Sequence, residues 1–390
     1  MKKKTRTRQR EILKSTLVGS GGEMAHPAEI EASLTALWED LLNVPTVGLD
    51  EDFFDLGGDS IIAARLFATI NKTYDLNLVL STLFEARTIG QLADTIRAAQ
   101  ANPNRGSQST AVVRLQHAYS RTPLFVISGL GGNVLNLREL ASHLSDACSL
   151  YALQPRGLDG KQPYHTRVEK IAHYYVNELR QVQSKGPYFL AGYSFGGLIA
   201  FEVAQQLVCQ GEDVGFLGLL DSIEHQYLIR VKRGLSKEER AILYKSRLHA
   251  VLFGENRWDY LTKRLRETFS LLFRRALAAI GIDAPAWGDI SDINSYAAMV
   301  YRPKIYPGAT VIFRTSDREI LDGDDEFLGW RELVTGPLTV RRVPGNHYTM
   351  IREPNVRVLA EQLRASLEKV QNGPDIRSPF SRESALGVPS

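Results

Sequence analysis

The sequence predicts an all-α domain followed by an α/β domain. Three observations point there. Apolar residues recur at helical spacing through residues 24–100. Beyond residue 120, short apolar runs alternate with amphipathic segments. A polar stretch separating the two, Ala101–Thr110, is built from Asn, Pro, Gly, Ser and Gln. At 390 residues the chain exceeds the usual size of one domain.

The first domain is assigned to residues 24–100, after a flexible Gly19-Ser20-Gly21-Gly22 segment. Its first helix starts after Pro27 and carries Ile30, Leu34, Leu37, Trp38, Leu41 and Leu42 on one side. A second helix follows Gly57-Gly58-Asp59-Ser60 with Ile61, Ile62, Leu66, Phe67 and Ile70, and the last carries Ile89, Leu92 and Ile96. Residues 101–119 are expected as linker.

The second domain is assigned to residues 120–370. Strands are predicted at Leu124–Ser128, Leu150–Gln154, Tyr188–Ala191, Val214–Leu220, Thr310–Arg314 and Thr339–Val343. Helices such as Val168–Lys185 and Leu198–Gln210 separate them, which implies a mostly parallel sheet covered on both faces. The alternation breaks at about 222–298, a helical insertion suited to a lid over an active site. Residues 371–390, rich in Ser, Pro and Gly, are expected to be disordered.

No apolar run approaches the roughly 20 residues that cross a bilayer, so no membrane association is expected. The basic start, Met1–Arg10, is followed by no apolar core or cleavage site, so a cytoplasmic location is expected. Two cysteines, Cys148 and Cys209, fit neither a disulfide framework nor a metal cluster, so no metal site is expected. A net charge of +3 gives no argument for nucleic acid. Its distribution is uneven. Residues 24–100 hold 4 Lys/Arg against 12 Asp/Glu, whereas 226–280 hold 13 against 5. Opposite fields of this kind would draw the acidic domain to basic residues such as Arg230, Lys232, Arg233 and Lys263.

Gly192-Tyr193-Ser194-Phe195-Gly196 lies directly after a predicted strand and before a predicted helix. That context is what a nucleophile elbow requires, because the glycines permit a sharp turn that exposes the serine. A serine hydroxyl is a weak nucleophile until a base takes its proton. Of eight histidines, His347 is the candidate base, since it sits in the loop Pro344-Gly345-Asn346-His347 right after a strand. The orienting acid is Asp221 or Asp317, each at a strand end and each preserving the order Ser, Asp, His; Asp221 is preferred. An oxyanion needs two fixed amides. The N–H of Phe195 is one candidate, and the N–H of Leu130, in Ser128-Gly129-Leu130-Gly131-Gly132-Asn133, is the other. That glycine-rich loop lacks the lysine and following hydroxyl of a phosphate loop.

The stretches Tyr188–Gly197, Gln154–Gly160, Leu219–Ser222 and Gly345–His347 resemble the type I thioesterase domains that end nonribosomal peptide and polyketide synthases. The resemblance spans about Thr122 to Leu367 and favours Asp221 as the acid. One departure stands out: Ser128-Gly129 occupies the place where that family often has His-Pro. Phe53-Phe-Asp-Leu-Gly-Gly-Asp-Ser60 resembles the attachment motif of peptidyl carrier proteins. In that family the serine bears 4'-phosphopantetheine, which implies such an arm on Ser60. Its position at a helix start also suits a phosphodiester.

The resemblances therefore imply a small all-α four-helix carrier domain followed by an α/β-hydrolase thioesterase domain with a helical lid insertion. They imply a serine thioesterase acting by hydrolysis or macrocyclisation at the release end of an assembly line. Its expected partners are upstream condensation, adenylation or ketosynthase domains and a phosphopantetheinyl transferase. A stand-alone esterase with an unrelated helical appendage, and an inactive binding module, are the alternatives.

Overall fold

Helix α1, Pro27–Leu42, opens on a proline, whose fixed φ and missing N–H suit a first helical turn. In a computed structural model, which describes residues 27–101, 111–116, 118, 123–158, 162–242, 269, 272–273, 276–277, 288–317 and 323–371, Ile30, Leu34 and Trp38 of this helix are buried. Trp38 meets Phe53 edge to face at 5.0 Å, and Phe53 meets Phe54 at 5.4 Å. Helix α2, Ser60–Tyr74, and helix α3, Ile89–Ala101, complete the apolar interior with Leu66, Phe67, Ile70, Leu92 and Ile96. Three α-helices are described here. The place of a fourth is taken by a five-residue 3-10 helix, Leu80–Phe84, too short for an apolar periodicity to announce it.

The chain splits into two compact units, Met1–Val113 with Arg156–Gln162, and Arg114–Pro155 with Pro163–Ser390. The second is built on a seven-stranded sheet with strand order β1-β3-β2-β4-β5-β6-β7. Its strands are β1 Val112–Gln116, β2 Leu124–Ile127, β3 Leu150–Leu153, β4 Tyr188–Tyr193, β5 Val214–Leu220, β6 Thr310–Thr315 and β7 Leu338–Val343. From β2 through β7 the strands pair in parallel. The centre reads as continuous apolar sequence because both faces are covered: every residue of β2 and β4 is buried.

Strand β1 corrects the expected linker at 101–119. Ala111, Val113 and Leu115 are buried in strict alternation, so the strand carries a period-2 signal that its polar flanks obscure. Other boundaries move by a few residues. Helix α4, Arg138–His143, follows β2, and helix α5, Val168–Val182, stops short of the expected Lys185. Helix α6 runs Phe195–Cys209 rather than from Leu198, because the elbow turn leads straight into it. Helix α7, His225–Gly234, and helix α8, Ile290–Val300, occupy the two ends of the expected lid range, most of whose middle lies outside the described residues, as do Lys263 and the tail 372–390. Helix α9, Asn355–Gln371, closes the unit with Val356, Leu359 and Leu363 buried. No helix among the described residues is long and apolar enough to cross a membrane.

The strand order has a functional consequence. Chain leaving β2 crosses to β3 on one side, whereas β4 lies on the other, so the strand order reverses at β2. In open α/β sheets the carboxyl ends of the strands at such a switch point are the usual place for a ligand site.

Candidate active site

At the carboxyl end of β4 the backbone turns so sharply that Ser194 adopts φ 57° and ψ −123°. A side chain in that region is strained, and the turn persists only because its surroundings hold it. Ser194 N–H donates to Leu220 O at 2.9 Å. Space dictates the flanking glycines. A Cβ on Gly192 would strike the Gly196 carbonyl, one on Gly196 the carbonyls of Ile127 and Ser128, and one on Gly197 the Ser222 hydroxyl. Helix α6 can thus approach β2 and β5 closely enough to lift Ser194 out of the turn.

His347 Nε2 lies 3.0 Å from Ser194 Oγ, and His347 Nδ1 lies 2.8 Å from Asp221 Oδ2. A carboxylate only accepts, so Nδ1 carries the proton toward Asp221 and Nε2 is left to accept from the serine hydroxyl. Asp221 follows β5 directly, is 6% exposed, and adopts φ +46°. Its other oxygen, Oδ1, accepts from both the N–H and the hydroxyl of Thr315, each at 3.1 Å. Three donors therefore compensate a buried carboxylate that would otherwise be costly.

The imidazole is held from several sides. Asn346 Oδ1 accepts from the N–H groups of Tyr348 and Thr349 at 3.0 and 3.1 Å, closing the loop around His347. The Tyr193 ring stacks on the imidazole at 5.1 Å with an interplanar angle of 20°. The Tyr193 hydroxyl donates to His347 O at 2.6 Å. Burial, reinforced by the charge of Asp221, pushes that phenol well above its ordinary range, so it remains a donor. Tyr348 meets the imidazole edge-on at 5.3 Å. Asp317, the rival acid, is exposed just beyond β6, and its N–H donates to Gly345 O at 3.1 Å. His143 pairs elsewhere, with Glu353 Oε1 at 2.7 Å.

The two candidate amides come from separate elements. Phe195 begins α6, so its N–H has no acceptor within the helix and lies at the positive helix end. Leu130 sits in a turn closed by Gly132 N–H donating to Gly129 O at 2.9 Å. A Cβ on Gly129 would lie 3.5 Å from Ser194 Cβ, which sets this loop directly beside Ser194. Gly132 has φ +68° and abuts Pro155, so a larger residue fits neither the conformation nor the space.

In the first unit, Ser60 is the first residue of α2, and Asp59 caps that helix by accepting from Ile61 N–H and Ile62 N–H at 2.9 and 2.8 Å. Gly57, at φ +89°, makes the preceding turn, and Gly58 packs where a Cβ would strike the Phe53 ring. Ile61 is 63% exposed, so the start of α2 is open to a modifying enzyme. These residues fit a serine-linked phosphopantetheine arm.

Sequence reasoning missed Thr315, the contacts of Tyr193, and Asn294, whose amide donates to Leu130 O at 2.7 Å. Thr315 ends β6 beside the strand that ends in Asp221, a neighbourhood that strand order alone suggests. Nothing in the sequence links Asn294 to residue 130.

Comparison with known proteins is consistent across the chain. Residues 122–367 match the thioesterase domain model, and residues 32–96 match the phosphopantetheine attachment site model. Malpibaldin synthetase of Mortierella alpina is 28% identical over 349 residues, covering 87% of this chain and 6% of that protein. Atromentin synthetase invA1 of Paxillus involutus is 32% identical over 356 residues, covering 87% of this chain and 37% of that protein. A solved four-domain nonribosomal peptide synthetase is similar at 25% identity, with 89% of this chain and 27% of that one covered and a TM-score of 0.48. The chain spans less than a tenth of the length of the first three curated relatives it matches. It belongs to the thioesterase domain family, and carries a phosphopantetheine attachment domain ahead of the α/β-hydrolase fold of that family.

Proposed function

We propose that this chain is the release module of an assembly-line synthase, in which an acyl or peptidyl thioester tethered through Ser60 is transferred to Ser194 and set free. The observation that carries this reading is the unbroken hydrogen-bonded line from Asp221 through His347 to Ser194, at 2.8 and 3.0 Å, in a chain that also holds an attachment domain. When attached, the phosphopantetheine arm presents the acyl group as a thioester.

Ser194 is the nucleophile, His347 the base, and Asp221 the acid that fixes the imidazole tautomer. As Ser194 Oγ bonds to the thioester carbonyl, its proton passes to His347 Nε2, and the carbonyl oxygen becomes an oxyanion. The N–H groups of Phe195 and Leu130 receive that charge. Collapse breaks the C–S bond, His347 returns the proton to the leaving sulfur, and an ester remains on Ser194. A water, or an amine or hydroxyl within the acyl chain, then gives up a proton to His347 Nε2 and attacks the ester carbonyl; as the C–O bond to Ser194 breaks, His347 returns that proton to Ser194 Oγ and the starting state is restored. Water yields a free acid and an internal nucleophile yields a ring, with the 222–298 insertion acting as the lid that governs access of water. Upstream synthase domains supply the acyl group, and a phosphopantetheinyl transferase supplies the arm.

Intact-protein mass spectrometry tests both halves. Incubation with a phosphopantetheinyl transferase and coenzyme A should add one arm, lost in Ser60→Ala, and a serine-reactive phosphonate should label Ser194. An unmodified Ser60 would point to an esterase with an unrelated appendage, and an unlabelled Ser194 to an inactive binding module.

A further inference from the structure

An oxyanion donor is useful only if it is held still before charge develops, since reorganising it during reaction would forfeit its advantage. The loop that offers Leu130 is poorly suited to holding still. Gly129, Gly131 and Gly132 surround it, and glycine is the residue with the most conformational freedom to lose. The turn bond from Gly132 to Gly129 restrains the loop at its base. Its tip is restrained from a different part of the chain, 164 residues away. Asn294, 3% exposed on α8, donates its side-chain amide to Leu130 O at 2.7 Å. Only the NH2 half of that amide can serve a carbonyl acceptor, so its orientation follows from the contact.

Helix α8 is a firm support. Asp289 caps it by accepting from Ser291 N–H at 2.8 Å, and Ile293, Tyr296 and Ala297 are buried beside Asn294. Holding the Leu130 carbonyl limits rotation about that residue, and so restrains the backbone that carries the Leu130 N–H next to Gly129, which lies against Ser194.

We propose that Asn294 is a positioning residue for the oxyanion hole, acting through the Leu130 backbone without touching the substrate. The inference rests on the thioesterase reading above. It predicts a kinetic signature that general structural damage would not give: the chemical step slows while ground-state binding holds.

The test uses the full chain and a soluble N-acetylcysteamine thioester. Asn294→Leu replaces the donor with an apolar side chain of similar size, and Asn294→Ala removes it by truncation. Both should lower kcat by about 10–100-fold, somewhat less than direct loss of an oxyanion donor. KM should stay within about twofold, and affinity for a boronic acid forming a tetrahedral adduct on Ser194 should fall in parallel with kcat. Asn294→His, which can donate, should recover part of the loss. Circular dichroism and thermal midpoints identify variants that fail to fold, and two donor-less side chains of different size keep the test open should one of them misfold. Wild-type kcat in both donor-less variants, or a change confined to KM, overturns the inference. Failure of the wild type itself to turn over thioester or take label at Ser194 instead overturns the thioesterase reading, and is distinguished because wild type and variants then fail alike.

Discussion

Asp221 and Ser194 both hold positive φ, +46° and 57°, at the two ends of one hydrogen-bonded relay. Conformations of this kind cost about 1–3 kcal/mol each in a non-glycine residue and persist where the surroundings over-determine them. Here the surroundings are Thr315 on the acid, Tyr193 on the imidazole and Leu220 on the elbow. Asp221→Asn should lower kcat by about 10⁴-fold through loss of the correct tautomer, whereas Asp317→Asn should stay within about twofold. The opposite pattern in steady-state hydrolysis would transfer the role to Asp317. Thr315→Val keeps the β-branched shape and deletes one donor to Asp221, so a fall in kcat of about 10–100-fold is expected, in keeping with one hydrogen bond to a charged group. Tyr193→Phe keeps the ring stack and deletes the 2.6 Å bond to His347 O, and should cost less than Tyr193→Leu, which deletes both. Equal losses in the two would show that the stack contributes nothing. Residue types with distinctive local grammar, the elbow serine and the loop histidine, were legible in the sequence. Thr315 and Asn294 were not, because each meets its partner only through strand order or a contact across 164 residues.

Among elements, the elbow depends on closeness that only glycine allows. Gly196→Ala would drive a Cβ into the backbone carbonyls of Ile127 and Ser128, neither of which can swing aside. A loss of about 3 kcal/mol or more is expected, read as a lower urea midpoint, and an unchanged midpoint would mean that α6 can retreat from β2. In the first unit, Trp38→Ala empties the centre of a small helical core around Phe53, at a cost of about 3–5 kcal/mol. A domain of this size has little stability in reserve, so the arm should no longer be attached efficiently. Central strands and long amphipathic helices could be read directly, since apolar runs and helical spacing are strong signals. Strand β1 could not, because five residues among polar neighbours read as linker, and the five-residue 3-10 helix Leu80–Phe84 is too short to show an apolar periodicity.

For the molecule as a whole, the described interior holds several tyrosines whose phenols are pushed upward, chiefly by burial: Tyr175, Tyr193, Tyr301 and Tyr306. At Tyr301 the neighbouring carboxylate of Glu202, which accepts its proton at 2.8 Å, adds to the effect. A group whose folded pKa is raised keeps its full contribution below the unfolded value, here about 10, and loses it as pH climbs toward the folded value. Stability should therefore decline above about pH 10, by up to about 1.4 kcal/mol per pH unit for each such tyrosine. Urea titrations from pH 8 to 11 check this, and Tyr301→Phe should flatten the decline; an identical slope in that variant would remove Tyr301 from the account.

The division into an attachment domain and a thioesterase domain was readable from the change in periodicity at the polar stretch after Ala101, since helical and parallel-sheet patterns differ over long windows. The identity of the acyl group was not readable, because it depends on the shape of a pocket assembled from many separate segments. The transfer between the two chemistries is the claim on which the rest depends. Loading the full chain at Ser60 with a short acyl-phosphopantetheine and following intact mass over time tests it most directly. The wild type should lose the acyl mass while keeping the arm, and Ser194→Ala should retain both at least about 10³-fold longer. Equal discharge from wild type and Ser194→Ala would contradict it.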